Sequence, residues 1–315
     1  MLKGRVWVLD GGLASTLQQE GEQVDGDPLW SARLLYTNPD AIKKAHLSFL
    51  SCGANILTTA SYQASIPGFT THLGITQTQA LSLIARSVSL ARTAIKEFTP
   101  MSGHSGVRPL LVAGSVGPYG ACQADGSEYT GAYISRISPS ELKEWHRPRI
   151  EVLVGAGVDL LAVETIPAVE EALAILELLQ EFPGTKAWVT FSCKDGQHTS
   201  YGDEFGAAVQ ACHKQGGEQL VGVGVNCSPP HYLAPLLTRA NATLPSPDIL
   251  PRVVYPNSGE EWVAGKGWEL KSAGTRSCIE EVREWRKLGA SVIGGCCRLG
   301  PPDIRIIADT LANSC

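Results

Sequence analysis

The sequence lacks three features that would each point to a particular class of protein. It has no basic surplus, since 26 lysines and arginines stand against 31 acidic residues and the net charge is −5. A general nucleic-acid binder needs such a surplus to neutralise phosphates, so we expect no nucleic-acid partner. No apolar run approaches the ~20 residues that span a bilayer, and residues 1–9 are too short for a signal peptide. We therefore expect no membrane partner and a cytoplasmic location.

Methionine is scarce and cysteine is plentiful, with two of the former and nine of the latter. An odd number of cysteines cannot pair completely within one chain. Nine positions scattered over 315 residues also differ from the dense disulfide framework of a small secreted domain. Free thiols in a reducing environment are the better interpretation. Some of these cysteines are then small buried apolar residues, and others take part in chemistry.

Short runs rich in β-branched residues recur along the chain, and each is nearly continuous in its apolar character. Strands of that kind are buried on both faces, as in parallel sheets. A protein of this size buries roughly three quarters of the surface that its unfolded chain exposes, so the core is large enough to hold them. The runs lie at residues 6–12, 54–60, 110–117, 158–165, 187–193, 220–227, 252–259 and 290–297.

Helical patterns occupy the segments between these runs. Asn38-Pro39 and Ser138-Pro139 are typical helix starts, and residues 76–98 repeat apolar side chains at three- and four-residue spacing. Residues 240–251 and 256–274, rich in Pro, Gly, Ser and Asn, are predicted as loops. The predicted helices cover residues 39–51, 76–98, 139–155, 168–182, 203–214, 229–239, 275–288 and 301–312.

Eight strands thus alternate with eight helices, and the last helix ends the chain. An open doubly wound sheet could hold eight strands, but the number that completes one barrel favours an α/β fold of the (β/α)8, or TIM barrel, class. No linker-like composition, low-complexity tract or longer repeat interrupts the pattern. We therefore predict a single barrel domain over residues 1–315.

Chemically useful residues gather at the ends of the predicted strands, where barrels of this class place their active sites. Two acids, Asp10 and Glu164, and three cysteines, Cys227, Cys296 and Cys297, lie there. Three thiolates suit zinc, which binds sulfur tetrahedrally and leaves its fourth position for a substrate. All-sulfur ligation also selects against magnesium and calcium.

The adjacent cysteines need a particular backbone, because neighbouring residues of a regular strand point to opposite faces. Cys296 and Cys297 must therefore lie where the strand breaks into its loop, and Gly294-Gly295 supplies freedom to turn there. A Cys-Cys pair alone could equally be two packing residues or a strained redox dithiol. Cys227, at the end of a different strand on the same face, favours the metal.

Cys193 also ends a predicted strand and is the nearest rival ligand. A buried thiol beside a metal site is nevertheless more often a packing residue. We assign it no ligand role.

A zinc ion with three thiolates generates hydroxide poorly, and its natural use is to hold a fourth thiolate that has lost its proton. Asp10 and Glu164 could then bind an ammonium group. The backbone amides of Gly11 and Gly12 could donate to a carboxylate. Together these groups describe a small amino acid that carries a thiol.

Several segments resemble the zinc-dependent homocysteine S-methyltransferases, and the resemblance covers essentially the whole chain. Each motif alone is weak, but the combination is specific. The segments are LDGGLASTLQQEG (9–21), ILTTASYQAS (56–65), GSVGPYGA (114–121), WHRPRIEVLVGAGVDLLAVETIP (145–167), VGVGVNCSPP (221–230), YPNSGEEW (255–262) and IGGCCRLGP (293–301).

This resemblance implies a TIM barrel in which Cys227, Cys296 and Cys297 hold one zinc ion per chain. The metal would activate the thiol of homocysteine, which would attack a methyl group of a cationic onium donor in line and form methionine. No general base would be needed at the attack step, and catalysis would consist mostly of positioning two reactants.

The resemblance also implies five contacts to homocysteine. Asp10 and Glu164 match the positions that bind its amino group, and Gly11, Gly12 and Thr59 match positions near its carboxylate.

The methyl donor is open at this point, because the family includes users of S-methylmethionine or S-adenosylmethionine, users of betaine, and folate- or cobalamin-dependent enzymes. The chain has no room for folate or cobalamin modules, and residues 58–65 and 145–151 are more similar to the S-methylmethionine branch. A betaine or selenocysteine methyltransferase is the alternative within the family, and a thiol redox sensor is the alternative outside enzymes. Loop aromatics that could hold an onium group are Trp30, Tyr62, Tyr119, Tyr129 and Tyr133.

Overall fold

The computed structural model describes residues 2–98, 109–244, 250–263, 267–270 and 278–313. Eight of its strands form one parallel sheet, and two others form an antiparallel hairpin. The strands of the parallel sheet are β1 (Trp7–Val8), β2 (Ile56–Thr58), β3 (Leu111–Val116), β4 (Leu160–Ile166), β5 (Ala187–Phe191), β6 (Leu220–Asn226), β7 (Arg252–Tyr255) and β10 (Ala290–Ile293). The hairpin strands are β8 (Glu260–Val263) and β9 (Gly267–Leu270).

Helices connect the strands of the sheet, and all eight predicted helices are present in the described part of the chain. The predicted bounds of the first, the third and the last are the observed ones, and the others shift by one to a few residues. Three helices were missed: α1, α2 and α4. The helices are α1 (Leu13–Gln19), α2 (Leu34–Thr37), α3 (Pro39–Ser51), α4 (Ile66–Leu73), α5 (Gln77–Glu97), α6 (Pro139–Gly155), α7 (Val169–Leu179), α8 (Phe205–Gly216), α9 (Pro230–Thr243), α10 (Cys278–Lys287) and α11 (Pro301–Ala312).

The parallel sheet closes on itself. Its strand order is β1-β10-β7-β6-β5-β4-β3-β2, and β2 returns to β1 where Leu9 bridges to Ile56. The Asp10 amide donates to the Ile56 carbonyl oxygen at 3.0 Å across this seam. Asn55 fastens it further, because its amide donates to the Val8 carbonyl oxygen at 2.7 Å and its side-chain oxygen accepts from the Val8 amide at 3.2 Å. The predicted (β/α)8 barrel is confirmed.

Two buried clusters explain why the strands read as continuous apolar runs. Successive side chains of a strand point to opposite faces, so each barrel strand feeds one cluster inside the barrel and one under the helices. The larger cluster packs the helices against the sheet. The inner cluster contains Leu2, Trp7, Leu9, Ile56, Ala113, Leu160, Ala162, Trp188, Val253, Tyr255 and Val292.

The prediction of loops at 240–251 and 256–274 was partly wrong. Helix α9 extends to Thr243, and strands β8 and β9 lie within 256–274, with Glu260 paired to Leu270 and Val263 to Gly267. The polar and glycine-rich composition of these segments lacks the apolar periodicity by which buried elements are recognised. Residues 245–249, 264–266 and 271–277 lie outside the described ranges.

Nothing in the described helices matches the length and apolar character that a bilayer crossing demands. This agrees with the absence of a long apolar run in the sequence.

Barrel closure makes a testable demand at Gly224, where β6 and β7 pack closely. A Cβ at this position would lie 1.8 Å from the carbonyl oxygen of Val253, which is backbone and cannot swing aside. We expect Gly224→Ala to lower the free energy of unfolding by more than about 3 kcal/mol or to prevent folding. Thermal unfolding followed by circular dichroism measures the effect.

The matched control is Gly155→Ala at the end of α6, where an added Cβ meets nothing within 4 Å. We expect this substitution to be neutral or slightly stabilising, because alanine has the higher helix propensity. Equal stabilities for the two variants would contradict the close approach of β6 and β7.

Candidate active site

The three cysteines predicted as ligands converge at the carboxyl-terminal edge of the barrel. Their sulfur atoms all lie within 4.8 Å of one another, and the Sγ atoms of Cys227 and Cys297 are 3.5 Å apart. Cys296 and Cys297 are separated by 4.0 Å between sulfurs. Among the described residues, this is the group of histidine, cysteine and acidic side chains whose ligand atoms are close enough for a metal ion.

The backbone after β6 presents Cys227 to the other two thiols. This residue follows the last residue of β6 and adopts a left-handed conformation with φ +48°, which few non-glycine residues tolerate. Its amide donates to the carbonyl oxygen of Tyr255 at 3.0 Å, so the turn stays tied to β7. Such strain, held by its surroundings, is typical of functional sites.

Cys296 and Cys297 lie beyond β10, which ends at Ile293, as the argument from strand alternation predicts. Gly294 and Gly295 precede them for a reason other than the predicted freedom to turn. Neither has a positive φ, and both allow close packing: a Cβ at Gly294 would lie 2.6 Å from the Asp10 carbonyl oxygen, and one at Gly295 would lie 2.6 Å from the Cβ of Leu299.

Gly11 and Gly12 pack against the same loop. A Cβ on Gly12 would lie 2.5 Å from the carbonyl oxygen of Cys296, and one on Gly11 would lie 2.3 Å from that of Leu299. The Gly12 amide donates to the Leu299 carbonyl oxygen at 2.8 Å. It is therefore engaged within the protein, whereas the Gly11 amide makes no hydrogen bond with the described residues. The expectation that both amides face a substrate carboxylate needs correction for Gly12.

Asp10 and Glu164 lie close to the thiols and are nearly inaccessible, with 2% and 8% of their surfaces exposed. Asp10 accepts hydrogen bonds from the amide of Thr58 at 2.7 Å and from its hydroxyl at 3.1 Å. Glu164 accepts from the hydroxyl of Ser115, and the nearby hydroxyl of Tyr255 also favours its ionised form. Both carboxylates are thus oriented by neighbouring strands.

Burial controls the protonation of these two acids. Loss of solvent raises the pKa of Glu164 to about 7, against the opposing effect of its hydrogen bonds. Burial also raises the pKa of Asp10 well above its usual value, and the nearby charge of Glu164 adds to this effect. A cation placed between them would favour the ionised forms of both.

Asn226 joins the strand that carries Glu164 to the strand that precedes Cys227. Its side-chain oxygen accepts from the amide of Thr165 at 2.7 Å, and its side-chain nitrogen donates to the hydroxyl of Thr165 at 2.7 Å. Thr165 has φ +59°, so this bond pair holds a strained residue next to Glu164. The sequence places Asn226 beside Cys227 but gives no sign of this contact.

Thr59 lies at the cavity wall, as predicted, but its hydroxyl already has partners within the chain. It accepts from the amide of Ser115 at 2.9 Å and lies 2.7 Å from the hydroxyl of Ser61. Its side chain therefore joins β2 to β3, and its contact with a substrate carboxylate remains a prediction.

The thiols share their charge unequally. Hydrogen bonds from the thiols of Cys296 and Cys297 lower the pKa of Cys227 well below its usual value. Donating those bonds raises the pKa of Cys296 and of Cys297. The hydroxyl of Tyr129 lies 3.2 Å from the Cys227 sulfur and can also stabilise its negative charge.

A cavity of about 420 Å³ opens above the thiols. Its described lining contains four acids and no lysine, arginine or histidine. Three of the predicted aromatics, Trp30, Tyr62 and Tyr129, line it, and the rings of Trp30 and Tyr62 meet edge to face with centroids 6.0 Å apart. The cavity therefore offers negative charge and aromatic faces, which together suit cations.

The other two predicted aromatics lie elsewhere. Tyr119 and Tyr133 pack against each other with ring centroids 5.3 Å apart, and the hydroxyl of Tyr133 donates to Glu171. Neither belongs to the cavity lining. Their place in the onium-binding set is therefore corrected, because buried hydrogen bonding and stacking already occupy them.

The segment at 145–151 supports the loops from beneath. Arg149, buried on α6, donates to the carbonyl oxygen of Tyr62 at 2.8 Å and to that of Gly117 at 2.5 Å. Its guanidinium also lies 3.0 Å from His146 Nδ1, and His146 Nε2 lies 2.9 Å from Glu171. This network fixes the turns after β2 and β3, and sequence reasoning missed it because the partners are distant along the chain.

The remaining described cysteines lie outside the thiol cluster. Cys193 is as buried as Cys227, with 6% exposed, but its sulfur is not part of the group. Cys212 is buried on α8, and Cys52 and Cys122 are partly buried. The side chain of Cys278 and all of Cys315 lie outside what the structure describes.

The donor set fits a thiophilic metal. Three sulfurs from two strand ends meet, and one of them, Cys227, has a lowered pKa. No basic side chain among the described lining residues neutralises their charge. All three cysteines line the cavity, and a catalytic metal with three protein ligands would need such an open side for its fourth ligand.

Comparison with known proteins agrees with this site. A sequence model described as homocysteine S-methyltransferase matches residues 7–311. The chain is 43% identical to homocysteine S-methyltransferase 1 of Arabidopsis thaliana, covering 96% of this chain and 93% of that protein. It is 41% identical to betaine-homocysteine S-methyltransferase of Drosophila melanogaster, covering 94% of this chain and 91% of that protein.

A solved structure is also similar. The metallated form of the homocysteine methyltransferase MmuM from Escherichia coli has a TM-score of 0.84 and 37% identity, covering 98% of this chain and 96% of that one. A family match along nearly the whole chain, relatives above 40% identity and a shared barrel show that this chain belongs to the homocysteine S-methyltransferase family of enzymes.

Proposed function

We propose that this enzyme takes the methyl group for homocysteine from a sulfonium donor, S-methylmethionine or S-adenosylmethionine, and that Cys227, Cys296 and Cys297 hold a zinc ion. The observation that carries the proposal is the junction of three convergent thiols with an acidic, aromatic cavity that has no basic side chain among its described lining residues. Both reactants would carry positive charge into that cavity.

The metal assignment rests on the donor set. Three sulfurs at the mouth of a barrel select soft metals, and zinc is the one that combines tetrahedral sulfur ligation with no redox chemistry. Zinc bound there would supply Lewis acidity that keeps a substrate thiol deprotonated at neutral pH. The related E. coli enzyme has been crystallised in a metallated form, which supports a metal at this position.

The two buried carboxylates support recognition of the homocysteine ammonium group. Asp10 and Glu164 are oriented by Thr58 and Ser115, and a bound ammonium would offset their desolvation. The unengaged amide of Gly11 is the best placed donor for the substrate carboxylate, with Gly12 and Thr59 shaping the wall around it. Such contacts fix the amino acid while its side chain points to the thiols.

The reaction itself needs little from the protein beyond position. A bond forms between the homocysteine sulfur and the methyl carbon as the bond from that carbon to the sulfonium sulfur breaks. The bonding electron pair stays with the departing sulfur, which becomes a neutral thioether. Holding two reactants in line supplies most of the rate enhancement in such a step.

Three cysteines that must stay reduced favour a reducing compartment, and we propose the cytoplasm. We further propose that the barrel acts as one catalytic domain whose partners are small molecules.

Donor choice gives the first test. Purified zinc-loaded enzyme incubated with homocysteine is expected to form methionine with S-methylmethionine or S-adenosylmethionine. Glycine betaine is expected to support less than about a tenth of that kcat/KM, because it is a zwitterion without the net positive charge that the acidic lining of the cavity attracts. Isotope-labelled homocysteine and mass spectrometry quantify the product. Methionine formed only from betaine would reverse the donor assignment.

Metal content gives a second test. We expect about one zinc ion per chain in the wild type, and almost none in Cys227→Ala, whose methyl transfer should fall by about 100-fold or more. Elemental analysis by mass spectrometry measures the zinc. The matched control is Cys193→Ala, since Cys193 and Cys227 are equally buried at 6% exposure and only Cys227 lies in the cluster.

A metal-free wild type with a reversible disulfide between Cys227 and Cys297 would instead support the redox sensor. Loss of zinc in both variants would show that the effect of Cys227→Ala is not specific to the cluster.

Recognition of the ammonium group gives a test by pH. L-norleucine shares the amino and carboxyl groups of homocysteine and lacks sulfur, so its binding reports on the acids without the thiol chemistry. Because the pKa of Glu164 is raised to about 7, this carboxyl is protonated at pH 6 and ionised at pH 8. We expect L-norleucine to bind about tenfold more tightly at pH 8, measured by titration calorimetry.

The raised pKa of Asp10 acts in the same direction, since its ionised form also increases with pH. Glu164→Gln is expected to weaken binding at pH 8 and to flatten the pH dependence. Glu151→Gln, an exposed position on α6, is the control that leaves both unchanged. Affinity independent of pH in the wild type would contradict a carboxylate as the ammonium partner.

A further inference from the structure

Glu128 differs from the other acids of the cavity because one of its carboxylate oxygens is buried without a hydrogen-bond partner among the described residues. Asp10 and Glu164 accept hydrogen bonds from neighbouring hydroxyls, and Asp27 is paired with Arg33. The Oε2 atom of Glu128 is buried and accepts no hydrogen bond from any described residue. Among the acids of the described cavity lining, it is the one with a buried carboxylate oxygen that accepts no hydrogen bond.

The backbone holds this side chain in place. Glu128 belongs to a short 3-10 helix, Ser127–Tyr129, whose first amide donates to Asp125 at 2.9 Å. Its carbonyl oxygen accepts from the hydroxyl of Ser192, which follows β5, at 3.0 Å. The next residue, Tyr129, reaches the Cys227 sulfur. Glu128 is thus anchored between β5 and the thiol cluster, on the cavity wall.

An unpaired buried carboxylate is energetically costly. Desolvation raises the pKa of Glu128 to about 7, and the negative charges of Cys227 and Asp125 add to this effect. A cation in the cavity would relieve both the desolvation and the repulsion. The same cavity has the faces of Trp30 and Tyr62, to which an onium group is also attracted.

We propose that Glu128 recognises the positive charge of the methyl donor and selects donors with a net positive charge over zwitterionic ones. This inference rests on the proposed function. S-methylmethionine carries a sulfonium, an ammonium and one carboxylate, and so has a net positive charge. Betaine-type donors balance their single onium charge with a carboxylate, so they carry no net positive charge for Glu128 to attract, and the described lining has no basic side chain to bind them instead.

Two sulfonium compounds test this selection without a change of reacting group. S-methylmethionine has a net positive charge, whereas dimethylsulfonioacetate is a zwitterion with the same dimethylsulfonium centre. The wild type is expected to prefer the former, measured as the KM of each donor or as its inhibition constant if it is not turned over. In Glu128→Gln, the KM for S-methylmethionine should rise about tenfold, and the preference should shrink by the same factor.

The homocysteine KM should change by less than about twofold, because its ammonium lies with Asp10 and Glu164 in the proposed complex. Glu128→Asp keeps the charge and is expected to recover part of the preference. Glu151→Gln is the matched control, since it removes one negative charge from an exposed position on α6. Zinc content and thermal unfolding of each variant confirm that it is folded and loaded.

The wild-type preference for the trimethylsulfonium ion over dimethylsulfonioacetate is a second measurement that needs no variant. The proposal is overturned if the active wild type lacks this preference, if Glu128→Gln leaves it unchanged, or if Glu151→Gln alters it equally. Failure of the proposed function has another signature: the wild type would form no methionine with any sulfonium donor.

Discussion

The structure depends on one constraint, which is that three sulfur atoms lie within 4.8 Å of one another at the edge of a barrel. One of them carries a lowered pKa, so the group concentrates negative charge where solvent is scarce. Such an arrangement is unfavourable unless a cation neutralises it. The left-handed backbone at Cys227 and the close packing at Gly294 and Gly295 are the local costs of bringing the sulfurs together.

The barrel makes this convergence possible, because segments that are distant along the chain end at one edge of the sheet. Residues from β1, β4, β6 and β10 meet there, although they are separated by up to nearly the length of the chain. Tight backbone contacts then fix their spacing: Gly12 packs on Cys296, and Asn226 bonds to Thr165. Arg149 likewise fixes the turns after β2 and β3, because it donates hydrogen bonds to a carbonyl oxygen in each of them. These contacts tie the loops of the site to the sheet that carries it.

Sequence reasoning predicted the parts of this arrangement that follow from periodicity and topology. Continuous apolar runs identify buried parallel strands, and a barrel places their ends together, so Asp10, Glu164 and the three cysteines could be brought to one edge. The adjacency of Cys296 and Cys297 even predicts the break in the strand. Short elements such as α1 and the hairpin β8–β9 were missed, because neither has a long periodic pattern.

Pairwise contacts could not be predicted in the same way. Arg149 reaches a carbonyl oxygen 87 residues away, and no local pattern indicates such a bond. Whether the Gly12 amide is free or engaged depends on where Leu299 comes to lie. The missing hydrogen bond at Glu128 Oε2 is harder still to predict, because it depends on which donors the folded chain places nearby.

The charges of the cavity bear on the rate of methyl transfer as well as on binding. In the proposed reaction a cationic sulfonium and an anionic sulfur would become two neutral thioethers, so charge would disappear as the transition state forms. Water stabilises such separate charges and so holds the reactants back. A cavity that replaces water by fixed carboxylates and aromatic faces can bind the cation while leaving the sulfur poorly solvated. Asp10 and Glu164 are almost completely buried beside the thiols, so little solvent reaches these two carboxylates. The acidic lining would therefore bind the positive donor of the proposed reaction where the loss of charge is favourable.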